Sequence, residues 1–215
     1  MAQLKEHACD FTLEVLGEGV VTAVPDRTLI TLGTVSEGVD LISVQSDNAI
    51  KVAAVIEELE QSGIARESIK TTQFLMEPQY DYIDGKQEFR GYRVTHLLQV
   101  TLDNVTEAGR LIDAAVANGA NIVTSIEFDT SEGAKAKREA LIAAVRDAEA
   151  KATVIAQALG VSLSAVPCKV EEVVLSGAEP VFFKASAMSL ESATSPIEPG
   201  QLTFRAAIRI WYLYG

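Results

Sequence analysis

The amino-acid sequence predicts an α+β fold: an antiparallel-rich sheet or sheets, helices packed on one face, and the order ββαββαβαββ. Two observations carry this reading. Segments with the two-residue alternation of strands come in pairs, and between them lie segments with the 3.6-residue apolar period of amphipathic helices. That arrangement excludes an all-parallel doubly wound sheet. With 215 residues and 48% apolar content, the chain can bury a substantial core. Residues 1–10 are read as an N-terminal extension and 11–215 as a single domain, with a long loop at about 176–200.

The first two strands are "FTLEVLGEGVVTAV" and "RTLITLGTVS", separated by the turn-favouring Pro25-Asp26. Gly17 and Gly19 are expected to mark a bulge. "DLISVQSDNAIKVAAVIEELEQSGI" then switches to helical period, with Ile42, Ala49, Val52, Ile56 and Leu59 as its apolar face. Asp40 or Ser43 is the expected N-cap and Gly63 the stop.

Two strand arms follow, "ESIKTTQFLMEPQY" and "EFRGYRVTHLLQVTL", joined through Asp84-Gly85. Asn104 to Glu107 resembles a capping box that introduces a short helix ending at Asn118-Gly119. "NIVTSIEFDT" is a further strand. The longest helix, 131–159, begins near Thr130 or Ser131 and ends at Gly160. Its expected apolar stripe is Leu141, Ala144, Val145, Ala148, Ala152, Ile155 and Leu159, and Asp147 and Lys151 form an i,i+4 pair. "VPCKVEEVVL" and "QLTFRAAIRIWYLY" are the closing strands.

Composition removes several functions. A net charge of −12 repels phosphate backbones and anionic lipid surfaces, so no nucleic-acid partner is expected. No apolar segment has transmembrane length, and the first residues lack a signal-peptide pattern; as written, the chain reads as cytoplasmic. A periplasmic or exported location is the alternative if a leader has been removed. Cys9 and Cys168 are too few for a disulfide framework and are read as free thiols.

No chemistry-bearing motif emerges. Gly17-Glu18-Gly19 has neither a third glycine nor a helix after it, so no phosphate loop is expected. His7 and His96 have no metal-ligand spacing, and no nucleophile elbow or calcium loop occurs. The chain is therefore expected to be no enzyme and to hold no cofactor and no metal. His96, in a strand, is read as a structural residue with local partners.

What remains is aromatic. Tyr80, Tyr82, Phe89 and Tyr92 surround the Asp84-Gly85 turn, either as cross-strand packing within a hairpin or as a surface for a partner. A two-residue turn would set Asp81 opposite Glu88, so a four-residue loop pairing Asp81 with Arg90 and Tyr82 with Phe89 is the expected register. Phe182, Phe183, Met188 and Leu190 form a second apolar group inside a loop-like segment, folded on their own domain or paired between subunits. Trp211, Tyr212 and Tyr214 are read as packing of the last strand.

The ordered set "VLGEGVVTAVPDRTLITLG", "VIEELEQSGIARESIKTT", "PQYDY" with "GYRVTHLLQVTL", "NGANIVTSIEF" and "REALIAAVRDAEAKATVIAQALGV" resembles the SIMPL-domain family of YggE-type proteins. The resemblance implies an α+β domain that self-associates into ring-like or channel-like homo-oligomers, with an envelope or oxidative-stress role and no established catalytic residues. It also leaves open a partner-binding signalling adaptor, as in a mammalian relative. An enzyme or small-molecule binder with an undisclosed cleft is a further alternative, which a buried polar cluster around His96 would favour.

Overall fold

A computed structural model of the protein describes residues 12–174 and 196–215. Its elements are β1 (Thr12–Ala23), β2 (Arg27–Gly38), α1 (Leu41–Gln61), β3 (Ile69–Ile83), β4 (Lys86–Leu102), α2 (Ala108–Ala117), β5 (Ile122–Asp129), α3 (Gly133–Leu159), β6 (Lys169–Val173) and β7 (Leu202–Leu213). The order is the expected one, and the fold is α+β. The described strands form two antiparallel sheets, ordered β1-β7-β6 and β3-β4-β2-β5. The chain divides into two compact units around them.

Pro25-Asp26 does not close a hairpin. β1 pairs with β7 and β2 with β4 and β5, so the turn carries the chain out of one sheet and into the other. The β1–β7 register runs unbroken from Thr12 opposite Leu213 to Ala23 opposite Leu202. Gly17 and Gly19 therefore mark no bulge. They are glycines because α3 crosses so close that a Cβ at Gly17 would lie 2.7 Å from the Ala148 Cβ, and one at Gly19 would lie 2.6 Å from the Ala144 backbone nitrogen.

The same contact corrects the stripe expected for α3. Its buried residues are Ala136, Ala140, Ala144, Ala148, Ala152 and Ala156, all alanines at four-residue spacing, while Val145, Ile155 and Leu159 are exposed. Only small side chains fit beneath a helix that nearly touches the strand. Asp147 and Lys151 form their expected pair at 2.7 Å. Gly160, at φ 69°, ends the helix in the left-handed conformation that favours glycine.

In the second unit, α1 and α2 cover one face of the four-stranded sheet. Ile30, Leu32, Leu98 and Val100 pack there against Val52, Val55 and Leu59 of α1 and Leu111, Ile112 and Ala115 of α2. Burying each Leu or Ile contributes about 1.5–3 kcal/mol. Asp40 caps α1 by accepting from the Ser43 N–H at 2.9 Å. The buried face of α1 is Val44, Asn48, Val52, Val55 and Leu59, rotated from the expected one, and Ile42 and Ala49 face solvent. Asn48 occupies the position that apolar counting assigns to a neighbour.

Asn104 accepts from the Thr106 N–H at 3.2 Å and starts a 3-10 turn leading into α2. Asn121 acts as a short extension of β5. Its amide accepts from the Val35 N–H at 2.7 Å and donates to the Val35 carbonyl at 2.8 Å.

Candidate functional site

β3 and β4 are longer than the strands beside them, so their far ends project beyond β2, whose last partner on β4 is Tyr92. The register of this arm corrects the expected four-residue loop. Asp81 lies opposite Glu88, Tyr82 opposite Gln87 and Ile83 opposite Lys86, leaving a two-residue turn. Asp84 at φ 49° and Gly85 at φ 78° supply the positive dihedrals such a turn requires.

Turn geometry outweighs the charge clash because Asp81 and Glu88 are exposed, where like charges opposite each other cost only a few tenths of a kcal/mol. A bulge also intervenes: Tyr80 pairs with Phe89 while Gln79 pairs with Gly91, leaving Arg90 as the extra residue. Arg90 reaches Asp81 at 3.9 Å and Glu37 of β2 at 3.7 Å. Arg93 Nε donates to the same Glu37 carboxylate at 2.7 Å.

Three of the four hairpin aromatics come together. Tyr80 and Phe89 meet edge to face with centroids 5.8 Å apart, and Phe89 and Tyr92 at 5.1 Å. Interplanar angles of 73° and 67° make this an interlocked cluster rather than a flat stacking platform. Tyr82 stands apart, 75% exposed. Phe182, Phe183, Met188 and Leu190 lie outside the described residues.

Sequence reasoning missed a second aromatic contact further along the same strands. Phe74 pairs with His96 in register, and their rings meet at 5.1 Å. His96 Nε2 hydrogen-bonds to Thr71 Oγ1 at 3.0 Å, so the histidine has local partners. Partial burial lowers its pKa below the ordinary 6.5, which favours neutral imidazole at pH 7. The alternation of "TTQFLMEPQY" places Phe74 on a strand, but the contact depends on a bulge at Thr72 that no local pattern marks.

Opposite His96 on β2 is Thr34, fully buried. Asn48 Nδ2 donates to Thr34 Oγ1 at 2.9 Å and to the Val94 carbonyl at 3.2 Å. A buried polar cluster thus flanks His96, and within it Asn48 Oδ1 has no hydrogen-bond partner among the described residues.

Among the described residues, the other unit carries no comparable chemistry. An open depression of about 300 Å³ on α3 is lined by Ala150, Lys151, Val154 and Ile155, and Lys151 is committed to Asp147. Tyr212 is buried in the last strand, and Lys169 sits 4.3 Å over the Trp211 ring, which agrees with a packing role. Among the described residues, no helix is long and apolar enough to cross a membrane.

A family model described as "SIMPL: Protein of unknown function (DUF541)" matches residues 13–212. The uncharacterised protein YggE of Edwardsiella ictaluri is 30% identical over 151 residues, covering 70% of this chain and 63% of that protein. YggE of Escherichia coli K12 is 30% identical over 132 residues, 61% of this chain and 54% of its own length. The 26 kDa periplasmic immunogenic protein of Brucella melitensis is 27% identical over 159 residues, 72% and 64% respectively. The chain therefore spans a little over half of the curated relatives it matches.

These relatives correct the cytoplasmic expectation, since the Brucella proteins are named as periplasmic. The expectation rested on a missing apolar run at the N-terminus. A leader is removed from a mature exported chain, so that run does not discriminate between compartments.

Proposed function

Because the chain belongs to the SIMPL family, whose function is unknown, we propose that it is a non-enzymatic protein of the periplasm that works by self-association. It forms a ring-like or channel-like homo-oligomer with an envelope or stress-related role. One observation supports this reading above others: none of the 15 residues of β3 is buried, although the strand carries Phe74, Leu75, Tyr80, Tyr82 and Ile83 in exposed positions. A strand that leaves so many apolar side chains exposed among the described residues is suited to covering a neighbour. The subunit contact includes the Tyr80, Phe89 and Tyr92 cluster, with Tyr82 beside it. The 176–200 segment, with Phe182, Phe183, Met188 and Leu190, is assigned to the same task. Mass by light scattering tests the proposal: multiples of the 23.0 kDa chain support it, and a strict monomer across micromolar concentrations overturns it.

A second reading, a binder of a small polar ligand, has one observation in its favour. Among the described residues the Asn48 carbonyl is buried without a donor beside His96 and Thr34. Native mass spectrometry of protein purified from its periplasm decides it. A retained small-molecule mass that disappears in Asn48→Leu favours this reading, and a bare chain mass removes it.

A further inference from the structure

The fold treats its two longest sheet edges differently. β1 lies at an edge, and α3 covers part of it: Asp147 Oδ2 accepts from the Glu18 N–H at 2.8 Å, and Lys151 Nζ donates to the Leu16 carbonyl at 3.0 Å. β3 lies at the edge of the other sheet. Among the described residues no side chain hydrogen-bonds to its backbone, so its outer N–H and C=O groups are open to another strand.

The charges along β3 select which strand. Because Thr72 is bulged out of the ladder, Lys70, Gln73, Leu75, Glu77, Gln79 and Asp81 fall on one face of the sheet. The two ends of this row have opposite sign. Lys70 has no ion pair among the described residues, and Asp81 has only the long contact to Arg90 at 3.9 Å.

We propose, building on the self-association reading, that the occupant is β3 of a second copy, paired antiparallel about a two-fold axis at Met76. This register sets Met76 against its own symmetry mate and Phe74 against Pro78. Beyond the Thr72 bulge it sets Thr71 against Tyr80 and Lys70 against Asp81, and symmetry makes the Lys70–Asp81 pair twice. Phe74, Met76, Pro78 and Tyr80 gather on one face, while on the other Lys70 meets Asp81 at both ends and Leu75 stands opposite Glu77 near the axis; the two four-stranded sheets become one of eight strands. Pro78 offers no N–H, so it removes at most one ladder donor per strand. A slip of two residues sets Lys70 against Gln79 or Ile83 and loses both ion pairs, which fixes the register.

The test is a charge exchange read by sedimentation equilibrium, with circular dichroism melts to confirm that each variant folds. In Lys70→Glu the two symmetric pairs become carboxylate against carboxylate, and in Asp81→Lys they become ammonium against ammonium. Each variant alone is expected to associate roughly tenfold more weakly than the native chain, because two pairs change sign. Mixing the two variants gives a mixed dimer in which both symmetric pairs again join a carboxylate to an ammonium, and the double variant K70E/D81K restores them with itself. Native-level association of both single variants overturns β3 pairing while leaving self-association intact. A native chain that stays monomeric overturns both.

Discussion

Gly17 of β1 lies so close to Ala148 of α3 that a Cβ on the strand would sit 2.7 Å from the alanine Cβ and from its backbone nitrogen. Helix and strand are held at this distance by two glycines facing a row of alanines, and neither side has slack. Gly17→Ala or Gly19→Ala must push α3 outward along its length. Overpacking of this kind costs about 1–3 kcal/mol, and the upper end is expected because the clashing atoms are backbone. Thermal denaturation checks it. A melting temperature within a degree of the native protein for both variants would show that α3 can move freely.

Asn48 argues the opposite case, of a polar residue needed inside an apolar core. Its amide donates to Thr34 Oγ1, the Thr34 carbonyl and the Val94 carbonyl, holding β2 and β4 to α1. Asn48→Asp replaces these donors by a buried carboxylate facing two backbone carbonyls, with only the Thr34 hydroxyl able to donate to it, and is expected to destabilise by several kcal/mol at neutral pH. Asn48→Leu removes the donors without adding charge and should cost less, about 1–3 kcal/mol. Urea titration of both variants gives the ranking, and an Asp variant as stable as the Leu variant would contradict it.

His96 gives a pH dependence whose sign is fixed by burial. Its folded pKa is lowered, so the unfolded chain, with an ordinary value near 6.5, binds the proton more tightly. The contribution to stability is complete above about pH 6.5 and is lost as pH falls through that value toward the lower folded pKa. His96→Gln keeps a polar group near Thr71 without the titration. Stability against pH between about 7.5 and 5 should therefore fall less steeply in the variant than in the native chain; equal slopes would remove His96 as the source.

The order of elements is legible in the sequence because alternation, helical period and caps are local, as at Asp40, Gly63 and Gly160. The division into two sheets is not. Pro25-Asp26 is a strong local turn signal, whereas β1 finds its partner in β7 nearly the whole chain away. The faces of α1 and α3 escape for a related reason: counting large apolar residues cannot find Asn48 or an alanine row whose logic lies in the opposite surface. At the candidate site, Tyr80, Phe89 and Tyr92 are legible as a group. The Phe74–His96 contact and the role of Arg90 are not, because each follows from a bulge that shifts the register by one residue.

The aromatic cluster separates stability from association. Tyr80 and Phe89 are each about half exposed and bury no core, so their edge-to-face contact is worth only about 0.5–1.5 kcal/mol. If the arm serves only its own fold, Tyr80→Ser with Phe89→Ser should lower the melting temperature by a few degrees and leave the particle mass as it is. If it is a subunit contact, the double variant keeps most of its melting temperature and loses the oligomer, because buried aromatics at an interface dominate its binding energy. Light scattering and a thermal melt on the same sample distinguish the two. A native particle mass in the double variant would take the aromatic cluster out of the proposed contact.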